Sequence, residues 1–378
     1  MKTILFNLSC AQPSSEAKYH GGGEYVKTIF AHLIEKYSQI TRIYAFYNPD
    51  KFLDEWIIEL SSASGVTLCK VINNEDIHRL LHAHHFDVLF TGLLDEYSGI
   101  QFPTDLRKIG TLHDFRELEA PVDSASHMYF DDIKGTIKCR IKKLMPKRYY
   151  NRVLELYKKD LLLCDEIVCV SKHTYYALIS LAVVQEKRLS LAYTPAKHYE
   201  GIRAIKGFAY KDFILLVSAN RWVKNCYRAI RALDDLYSKS LLDRQTVLTG
   251  NISKKIRATI QNPEKFTFLE YVDNAELEYL YSECALFLYP SLNEGFGMPP
   301  LEAMRYGKTC VVSGICSMPE ICGDAVYYCD PYKVNEIEAH VLMALENPKD
   351  EKDVLARFNQ ISARQLEDLD KICCIIAE

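Results

Sequence analysis

Short apolar runs alternate with amphipathic helical patterns along almost the whole chain. The runs that predict strands lie at 2–8, 42–47, 66–71, 87–91, 108–112, 165–171, 213–218, 245–250, 266–272, 285–289, 309–313 and 325–329. Helical patterns lie at 24–37, 51–61, 274–282 and 336–347, and two more begin near Tyr227 and Lys352. Apolar strands separated by helices are typical of parallel sheets covered on both faces. The pattern therefore predicts an α/β fold.

The periodicity is lost between Tyr193 and Lys211, in a stretch that contains a proline and two glycines. Such a stretch is typical of a hinge between domains. A chain of 378 residues is also longer than one ordinary core requires. We therefore predict two doubly wound domains, at 1–195 and 208–359.

The composition is that of a soluble globular protein, with 48% hydrophobic and 25% charged residues. The longest apolar runs, such as Phe213–Val217, are too short to span a bilayer. The start of the chain, Met1–Asn7, resembles a signal peptide, but polar residues follow at once, so it predicts the first strand instead. A cytoplasmic location is expected.

Thirteen cysteines are scattered along the chain, and none of them forms a CxxC pair. Several lie inside apolar runs, as Cys164, Cys169, Cys284, Cys310 and Cys329 do. This pattern predicts reduced core residues rather than a disulfide framework, a structural zinc site or a redox motif.

The segment 285–307 carries the most informative pattern in the chain. An apolar strand at 285–289 runs into a Gly-Phe-Gly turn at 295–297, and a helix follows with two prolines in its first turn and Gly307 at its end. The glycines let the backbone approach a ligand closely, and the helix directs its positive N-terminal end at the same place. The segment therefore predicts an anion site.

Two carboxylates flank this predicted anion site, Glu294 on the turn and Glu302 just inside the helix. Carboxylates accept hydrogen bonds from hydroxyl groups. A ligand with an anion between two sets of hydroxyls is a nucleoside-diphosphate sugar, which we take as the predicted ligand.

Three further stretches carry residue types suited to the same ligand. Gly21–Gly23 lead into a helix in a phosphate-type turn, although the spacing is not the GxGxxG of dinucleotide enzymes. His113 follows a short strand, at the sheet edge where α/β proteins bind ligands. Arg221 and Lys224, the latter followed by Asn225, offer cations beside another strand end.

With these motifs the chain resembles the retaining glycosyltransferases of family 4, which have the GT-B fold. The resemblance implies two Rossmann-like domains facing an interdomain cleft, with a C-terminal tail at about 360–378 that packs back on the first domain. The catalytic residues that it implies are His113, Arg221, Lys224 and Glu294, and the donor-binding residues are Gly22, Gly23, Asn225, Tyr271, Val272, Gly295, Phe296, Gly297 and Glu302.

The resemblance also implies how these residues act. His113 and Glu294 contact the donor sugar, and Glu302 binds the ribose hydroxyls. Arg221 and Lys224 neutralise the departing diphosphate, although they are closer together in sequence than in many members of the family. Gly22 and Gly23 face the diphosphate, while Tyr271 and Val272 lie against the base.

The implied reaction moves a hexose-type sugar to a hydroxyl of a glycan or lipid-linked saccharide in cell-surface polysaccharide synthesis. The resemblance implies retention of configuration through same-face attack. No carboxylate is placed as a covalent nucleophile, and no cofactor or essential metal is expected. Two alternatives remain open. One is a non-catalytic partner that binds nucleotide sugars, and the other is a GT-B epimerase that acts on the nucleotide sugar itself.

A basic stretch runs from Ile133 to Lys159. Its cations are Lys134, Lys138, Arg140, Lys142, Lys143, Lys147, Arg148, Arg152, Lys158 and Lys159, and apolar residues recur at helical spacing before Pro146. This predicts a basic amphipathic helix that lies on an anionic membrane surface or binds a phosphorylated acceptor, although a solvated helix face explains the charges equally well. Nucleic acid is not expected as a partner, because the net charge is −4 and no stacking platform accompanies the cations.

Two sequence patterns suggest a metal site, and we discount both. His82, His84 and His85 are clustered, but no carboxylate or cysteine lies at ligand spacing. Asp368 and Asp370 form a DxD tripeptide, but they lie in a predicted terminal helix rather than at a strand end.

Overall fold

A computed structural model describes residues 1–13, 20–94, 99–120, 122–181, 189–197, 199 and 201–378. The strands are β1 (Lys2–Asn7), β2 (Thr41–Tyr47), β3 (Thr67–Lys70), β4 (Val88–Thr91), β5 (Arg107–Leu112), β6 (Glu166–Cys169), β7 (Leu189–Leu191), β8 (Ile214–Leu216), β9 (Thr246–Thr249), β10 (Phe266–Leu269), β11 (Leu286–Tyr289), β12 (Thr309–Ser313) and β13 (Tyr327–Cys329). The helices are α1 (Gly21–Tyr37), α2 (Glu55–Ala63), α3 (Asn74–Ala83), α4 (Arg116–Glu119), α5 (Ile133–Leu144), α6 (Pro146–Leu163), α7 (Lys172–Ser180), α8 (Cys226–Ser238), α9 (Lys254–Arg257), α10 (Asn274–Glu283), α11 (Met298–Met304), α12 (Met318–Cys322), α13 (Val334–Glu346) and α14 (Glu351–Ala377).

The strands form two parallel sheets. The first has the order β3-β2-β1-β4-β5-β6-β7 and the second has the order β10-β9-β8-β11-β12-β13. In both sheets the order runs outward in two directions from a central pair, which is the arrangement of a doubly wound fold. Strands such as β11 and β12 are buried along their whole length, because helices cover both faces. The predicted α/β class with two doubly wound sheets is confirmed.

By its contacts the chain divides into two units. The first unit comprises 1–113, 154–198 and 362–378, and the second comprises 114–153 and 199–361. The sequence predicts 1–195 for the first domain, whereas the structure groups 114–153 with the second unit. Contacts distant in sequence explain this grouping, since Asp123 forms a buried ion pair with Arg228 over 2.7 Å.

The C-terminal tail, predicted at about 360–378, is part of the long helix α14, and from residue 362 onward it groups with the first unit. The Asp368 carboxylate accepts a hydrogen bond from the Tyr193 N–H over 2.9 Å, and Gln365 donates to the Thr194 carbonyl. These contacts attach the helix end to the chain that follows β7.

Several element boundaries differ from the sequence prediction. Helix α2 begins at Glu55 rather than at Lys51, because the Gln12 side chain binds the backbone carbonyls of Asn48 and Lys51 and keeps that stretch non-helical. Strand β10 ends at Leu269 rather than at residue 272, because its neighbour β9 offers no residue beyond Thr249 to pair with.

Helix α7 begins directly after Ser171, whose hydroxyl caps it by accepting a hydrogen bond from the Thr174 N–H over 3.1 Å.

The polar stretch at 9–20, between the predicted strand at 2–8 and Gly21, is expected to be a loop and falls partly on residues 14–19. The predicted hinge at 193–211 falls partly on residues 198 and 200. These residues lie outside the described part of the chain. Across the described residues between 192 and 213 the chain forms no helix or strand.

The cysteines predicted to be core residues are all buried. Cys164, Cys169, Cys284, Cys310 and Cys329 are each less than one tenth exposed, and none is in a disulfide. Burial raises the pKa of the Cys284 thiol to about 12, so this thiol stays protonated at neutral pH. The prediction of unpaired core cysteines is confirmed.

No helix in the described residues combines the length and the apolar character needed to cross a bilayer.

Candidate functional site

The centre of the second sheet brings two strand ends together. Strands β8 and β11 are parallel neighbours, and the strand order reverses between them. In open α/β sheets ligands bind beside such a reversal, at the carboxyl ends of the strands. The loop after β8 carries Arg221, Lys224 and Asn225, and the loop after β11 carries Glu294. Two of the predicted site segments are therefore adjacent.

Lys224 and Glu294 form a buried ion pair at this position. The ammonium Nζ lies 2.6 Å from Oε1 of Glu294, and both side chains are about nine tenths buried. Lys224 also donates to the hydroxyl of Tyr289, the last residue of β11. The Ser291 hydroxyl donates to the same carboxylate oxygen over 2.6 Å. The carboxylate is thus held by two donors, the Lys224 ammonium and the Ser291 hydroxyl.

The environment changes the ionisation of both partners. Burial lowers the pKa of Lys224, and the positive charges of Arg221 and Arg116 lower it further, against the opposing effect of Glu294. Burial by itself would raise the pKa of Glu294, but the Lys224 charge and the hydrogen bonds that it receives bring it below its ordinary value. Glu294 is therefore ionised at neutral pH.

Asn225 determines the backbone that presents Lys224. It adopts a left-handed conformation with φ of 58°, between a single 3-10 turn at Trp222–Lys224 and the start of α8. Asparagine tolerates this conformation better than most residues. Its amide nitrogen donates to the carbonyls of Pro290 and Pro331, and its oxygen accepts from Arg228. All of these partners are protein groups of the second unit. Donor binding by Asn225 stays a prediction.

Arg221 precedes the 3-10 turn and is only partly buried. Its positive charge is close enough to lower the pKa values of both Lys224 and Tyr289. Its guanidinium pairs with no carboxylate among the residues that the structure describes. Arg221 is therefore a cation beside the buried pair that is available to an anion.

The glycine turn before α11 is closely packed. Gly297 has φ of 111°, a conformation that other residues rarely adopt, and a Cβ there would lie 2.0 Å from Cε of Met318. The buried hydroxyl of Ser317 lies 2.9 Å from the Glu294 carbonyl and 2.8 Å from the Phe296 carbonyl. The turn at Gly295–Gly297 therefore packs against Met318 of α12 and is hydrogen-bonded to Ser317, the N-cap residue of that helix.

Helix α11 begins and ends where the sequence predicts. Pro299 and Pro300 lie in its first turn, where their missing N–H groups cost nothing. Gly307 has φ of 64° and ends the helix in a Schellman motif, with its N–H donating to the Met304 carbonyl and the Lys308 N–H donating to the Ala303 carbonyl. The two prolines also leave the helix start with fewer N–H donors for an anion than most helices offer.

Glu302 is buried in α11, and its carboxylate accepts a hydrogen bond from the Tyr281 hydroxyl over 2.9 Å. Burial raises the pKa of the Tyr289 hydroxyl well above its ordinary value, and the charges of both Glu294 and Glu302 raise it further. The charges of both predicted glutamates are therefore close enough to Tyr289 to affect its ionisation.

Tyr271 and Val272 follow β10, the edge strand of the same sheet. Tyr271 is 67% exposed, and Val272 packs against a hydrophobic cluster of the second unit. Two strands separate β10 from β11. The described contacts do not bring these two residues to the Lys224–Glu294 pair, and base binding by them stays a prediction.

The first unit carries the other predicted residues at the centre of its own sheet. His113 follows β5, and its Nε2 donates to the Gly92 carbonyl over 2.8 Å. The Tyr25 ring packs edge-on against the imidazole, with 4.7 Å between ring centroids. Gly92 approaches α1 closely, since a Cβ there would lie 2.4 Å from Cγ2 of Val26. The ring orientation of His113 is therefore determined by contacts within the first unit.

The three glycines at 21–23 form the first turn of α1 rather than a loop before it. His20 caps this helix, because its Nδ1 accepts the Gly23 N–H and its Nε2 donates to the Gln12 carbonyl. A Cβ at Gly22 would lie 2.7 Å from Cδ2 of Leu93, so glycine lets the loop after β4 approach the helix. The N–H of Gly23 is engaged by His20.

Sequence reasoning missed several residues at or near the buried pair. Tyr289 accepts a hydrogen bond from Lys224, and Ser291 donates one to Glu294. Nearby, Asn293 donates to Glu119 and to Sγ of Cys316. The only signal that Ser291 gave is its position three residues before the carboxylate to which it donates. Glu119 gave none, because it is distant in sequence from the residue that it contacts.

The side chains discounted as metal ligands bond within the first unit. Asp368 accepts hydrogen bonds from Arg364 over 2.7 Å and from the Tyr193 N–H. Asp370 pairs with His32 and Lys36. His84 packs against the Tyr44 ring, with 4.8 Å between ring centroids.

Comparison with known proteins extends this description. Residues 200–359 match the family model of the glycosyl transferases group 1. The chain is 46% identical over 80 residues to the O-antigen chain mannosyltransferase B of Escherichia coli, which is 21% of each chain. It is 26% identical over 221 residues to the O-antigen chain mannosyltransferase RfbU of Salmonella typhimurium, which is 58% of this chain and 60% of the relative. The matches thus span about a fifth of the first relative's length and about three fifths of the second's.

Among solved structures, the sucrose-phosphate synthase of Thermosynechococcus elongatus superposes with a TM-score of 0.70 at 14% identity, over 99% of this chain and 98% of that one. A likeness at this identity concerns the fold, and it confirms the predicted GT-B class. The resemblance drawn from Glu294 and Glu302 is confirmed at the level of the family, because both residues fall inside the matched range. The part of the chain that matches the glycosyl transferases group 1 is therefore residues 200–359, which hold the Lys224–Glu294 pair.

Proposed function

We propose that the protein is a retaining glycosyltransferase that moves a hexose-type sugar from a nucleoside-diphosphate sugar to a hydroxyl of a glycan or lipid-linked saccharide. The observation that carries the proposal is the buried Lys224–Glu294 pair, which lies beside Arg221 at the strand reversal of the second sheet. The group 1 match over 200–359 supports it, because that range contains all three residues.

The chemical requirement of the reaction is to stabilise negative charge on the departing diphosphate. When the bond between the sugar carbon and the phosphate oxygen breaks, its electron pair stays on the phosphate. A cation already oriented in a poorly hydrated site stabilises that charge without reorganising at the moment of reaction. In this proposal Arg221 and Lys224 are those cations, and Glu294 keeps Lys224 in position.

Glu294 and Glu302 would each bind hydroxyl groups of the donor. In this proposal Glu294 lies by the sugar, Glu302 binds the ribose, and His113 of the first unit contacts the sugar. The acceptor hydroxyl would enter on the face that the diphosphate leaves, which retains the configuration of the sugar carbon. The proximity of both glutamate charges to Tyr289 supports a shared ligand.

The relatives suggest the biological setting and the sugar to test first. Both are named as O-antigen chain mannosyltransferases. We therefore propose that this protein acts in cell-surface polysaccharide synthesis and that mannose is the first sugar to examine.

The test is a panel of donors carrying mannose, glucose or galactose on UDP, GDP or dTDP. Binding by one donor should raise the melting temperature of the purified protein, and mass spectrometry should then detect transfer to a saccharide acceptor. An epimeric nucleotide sugar formed without acceptor would establish the epimerase alternative. Donor binding with neither transfer nor hydrolysis would favour the non-catalytic partner, and the absence of any donor binding would overturn the proposal.

Transfer is expected to be independent of divalent metal. The cations proposed at the diphosphate are side chains, so removal of metal with EDTA should leave the transfer rate within about twofold of its value in Mg²⁺. A glycosyltransferase known to require Mn²⁺, assayed in parallel, shows that the chelation was effective. A loss of more than tenfold that added Mg²⁺ or Mn²⁺ reverses would contradict this expectation.

A further inference from the structure

Helix α5 is amphipathic, but its apolar side faces away from the protein. At about 100° per residue, its four large apolar residues fall within about 80° of arc on one side of the helix. These residues are Ile133, Ile137, Ile141 and Leu144, which are 77%, 48%, 55% and 80% exposed. A helix on the surface of a globular protein normally directs such a stripe to the core. We call these four residues the α5 stripe.

The opposite side of α5 is the side that packs on the second unit. The backbone at Gly135 lies against the Phe130 ring, close enough that a Cβ would come within 2.6 Å of it. The Thr136 hydroxyl accepts a hydrogen bond from Lys255 over 2.7 Å, and Lys142 forms an ion pair with Glu117 over 3.1 Å. Small and polar side chains therefore attach the helix, and the exposure of the stripe follows from that orientation.

Cations flank the α5 stripe on both sides. Lys134 and Lys138 lie on one side of it, and Arg140 and Lys143 lie on the other, and all four are exposed. No aspartate or glutamate occurs from Ile133 to Leu154. The whole chain has a net charge of −4, so the positive charge of this surface is local and the rest of the chain carries a negative net charge.

This combination of features selects the partner. A second copy of the chain would bring one basic surface against another and would be repelled. A nucleic acid would neutralise the cations but would leave the α5 stripe in water. An anionic lipid bilayer satisfies both features, because the stripe enters the acyl boundary while the flanking cations meet the lipid phosphates.

We propose that α5 docks this protein on the surface of an anionic lipid bilayer, with the helix lying in the plane of the interface. The proposal does not rest on the proposed sugar transfer, since the residues concerned are outside the Lys224–Glu294 site. Docking by α5 would hold the second unit, the unit that carries that site, at the membrane surface.

The test is sedimentation of the full-length protein with vesicles of phosphatidylcholine alone or with about 30% phosphatidylglycerol. We expect binding to the anionic vesicles, weakened by raised salt, and little binding to the neutral ones. The stripe variant Ile137→Ser/Ile141→Ser/Leu144→Ser and the charge variant Lys134→Glu/Lys138→Glu/Lys143→Glu should each bind at least about tenfold more weakly.

Matched controls use residues that are equally exposed elsewhere in the chain. Ile58→Ser/Ile72→Ser/Leu241→Ser changes three exposed apolar residues, and Lys51→Glu/Lys70→Glu/Lys352→Glu reverses three exposed lysines. Both controls should bind anionic vesicles as the wild type does. All variants should keep the melting temperature of the wild type, because the substituted side chains are in water.

Three outcomes would overturn the proposal. The first is equal binding of the wild type to neutral and anionic vesicles, or no binding to either. The second is equal loss of binding in the controls and in the α5 variants. The third is a wild-type dimer, seen by light scattering, that the stripe variant abolishes, since this would make a second copy the partner of the stripe.

Discussion

Replacement of Lys224 by methionine is expected to lower the free energy of unfolding by about 3–5 kcal/mol and to reduce sugar transfer at least about a hundredfold. The loss of stability follows because Glu294 would be left buried without the cation that stabilises its charge. The loss of transfer follows because a positive charge beside the diphosphate is removed. Urea unfolding and a transfer assay with the donor found in the panel measure the two effects.

The double variant Lys224→Met/Glu294→Gln separates the two effects. It removes the unpaired charge, so most of the lost stability should return, while transfer should stay as low as in the single variant. Lys239→Met is the matched control, because Lys239 pairs with Glu338 over 2.7 Å but is about half exposed. Its effect on unfolding should be much smaller than that of Lys224→Met, because solvent screens the exposed pair. Normal transfer by the double variant would contradict the role proposed for Lys224.

Replacement of Arg221 by alanine is expected to have the opposite pattern. Arg221 is partly exposed and pairs with no carboxylate in the described part of the chain, so the free energy of unfolding should change by less than about 0.5 kcal/mol. Transfer should fall about 100- to 1,000-fold in kcat, because the cation is proposed to act on charge that grows as the diphosphate leaves. Steady-state kinetics with varied donor concentration separate kcat from KM.

Arg231→Ala is the control for this variant, since Arg231 is an exposed cation on the neighbouring helix α8. It should leave both kcat and unfolding unchanged. A rise in KM for the donor with an unchanged kcat in Arg221→Ala would mean that Arg221 binds the donor equally in the ground state and in the transition state. That result would contradict the role proposed for Arg221.

The two replacements test different parts of one site. Lys224 is buried and paired, so its removal affects folding and reaction together. The Arg221 side chain is partly exposed and forms no ion pair with a described carboxylate, so its removal should affect the reaction alone. If both variants lost stability and transfer in proportion, the loss of transfer would be explained by unfolding rather than by chemistry.

The sequence was sufficient for the features that neighbouring residues encode. The alternation of apolar runs and helical patterns predicted two doubly wound sheets, because strand and helix periodicity are local properties. The prolines at 299–300 and Gly307 predicted the bounds of α11 for the same reason, since each residue restricts its own backbone. The turn at 295–297 was likewise recognisable from its glycines.

The tertiary structure decided which distant residues meet. Lys224 pairs with Glu294, 70 residues later, only because β8 and β11 are neighbours in the sheet. The segment 114–153 groups with the second unit through contacts such as Asp123 with Arg228, which no local pattern announces. The apolar stripe of α5 was visible in the sequence, but its outward direction was not. A helical pattern shows that two sides differ, and only the packing partners determine which side is covered.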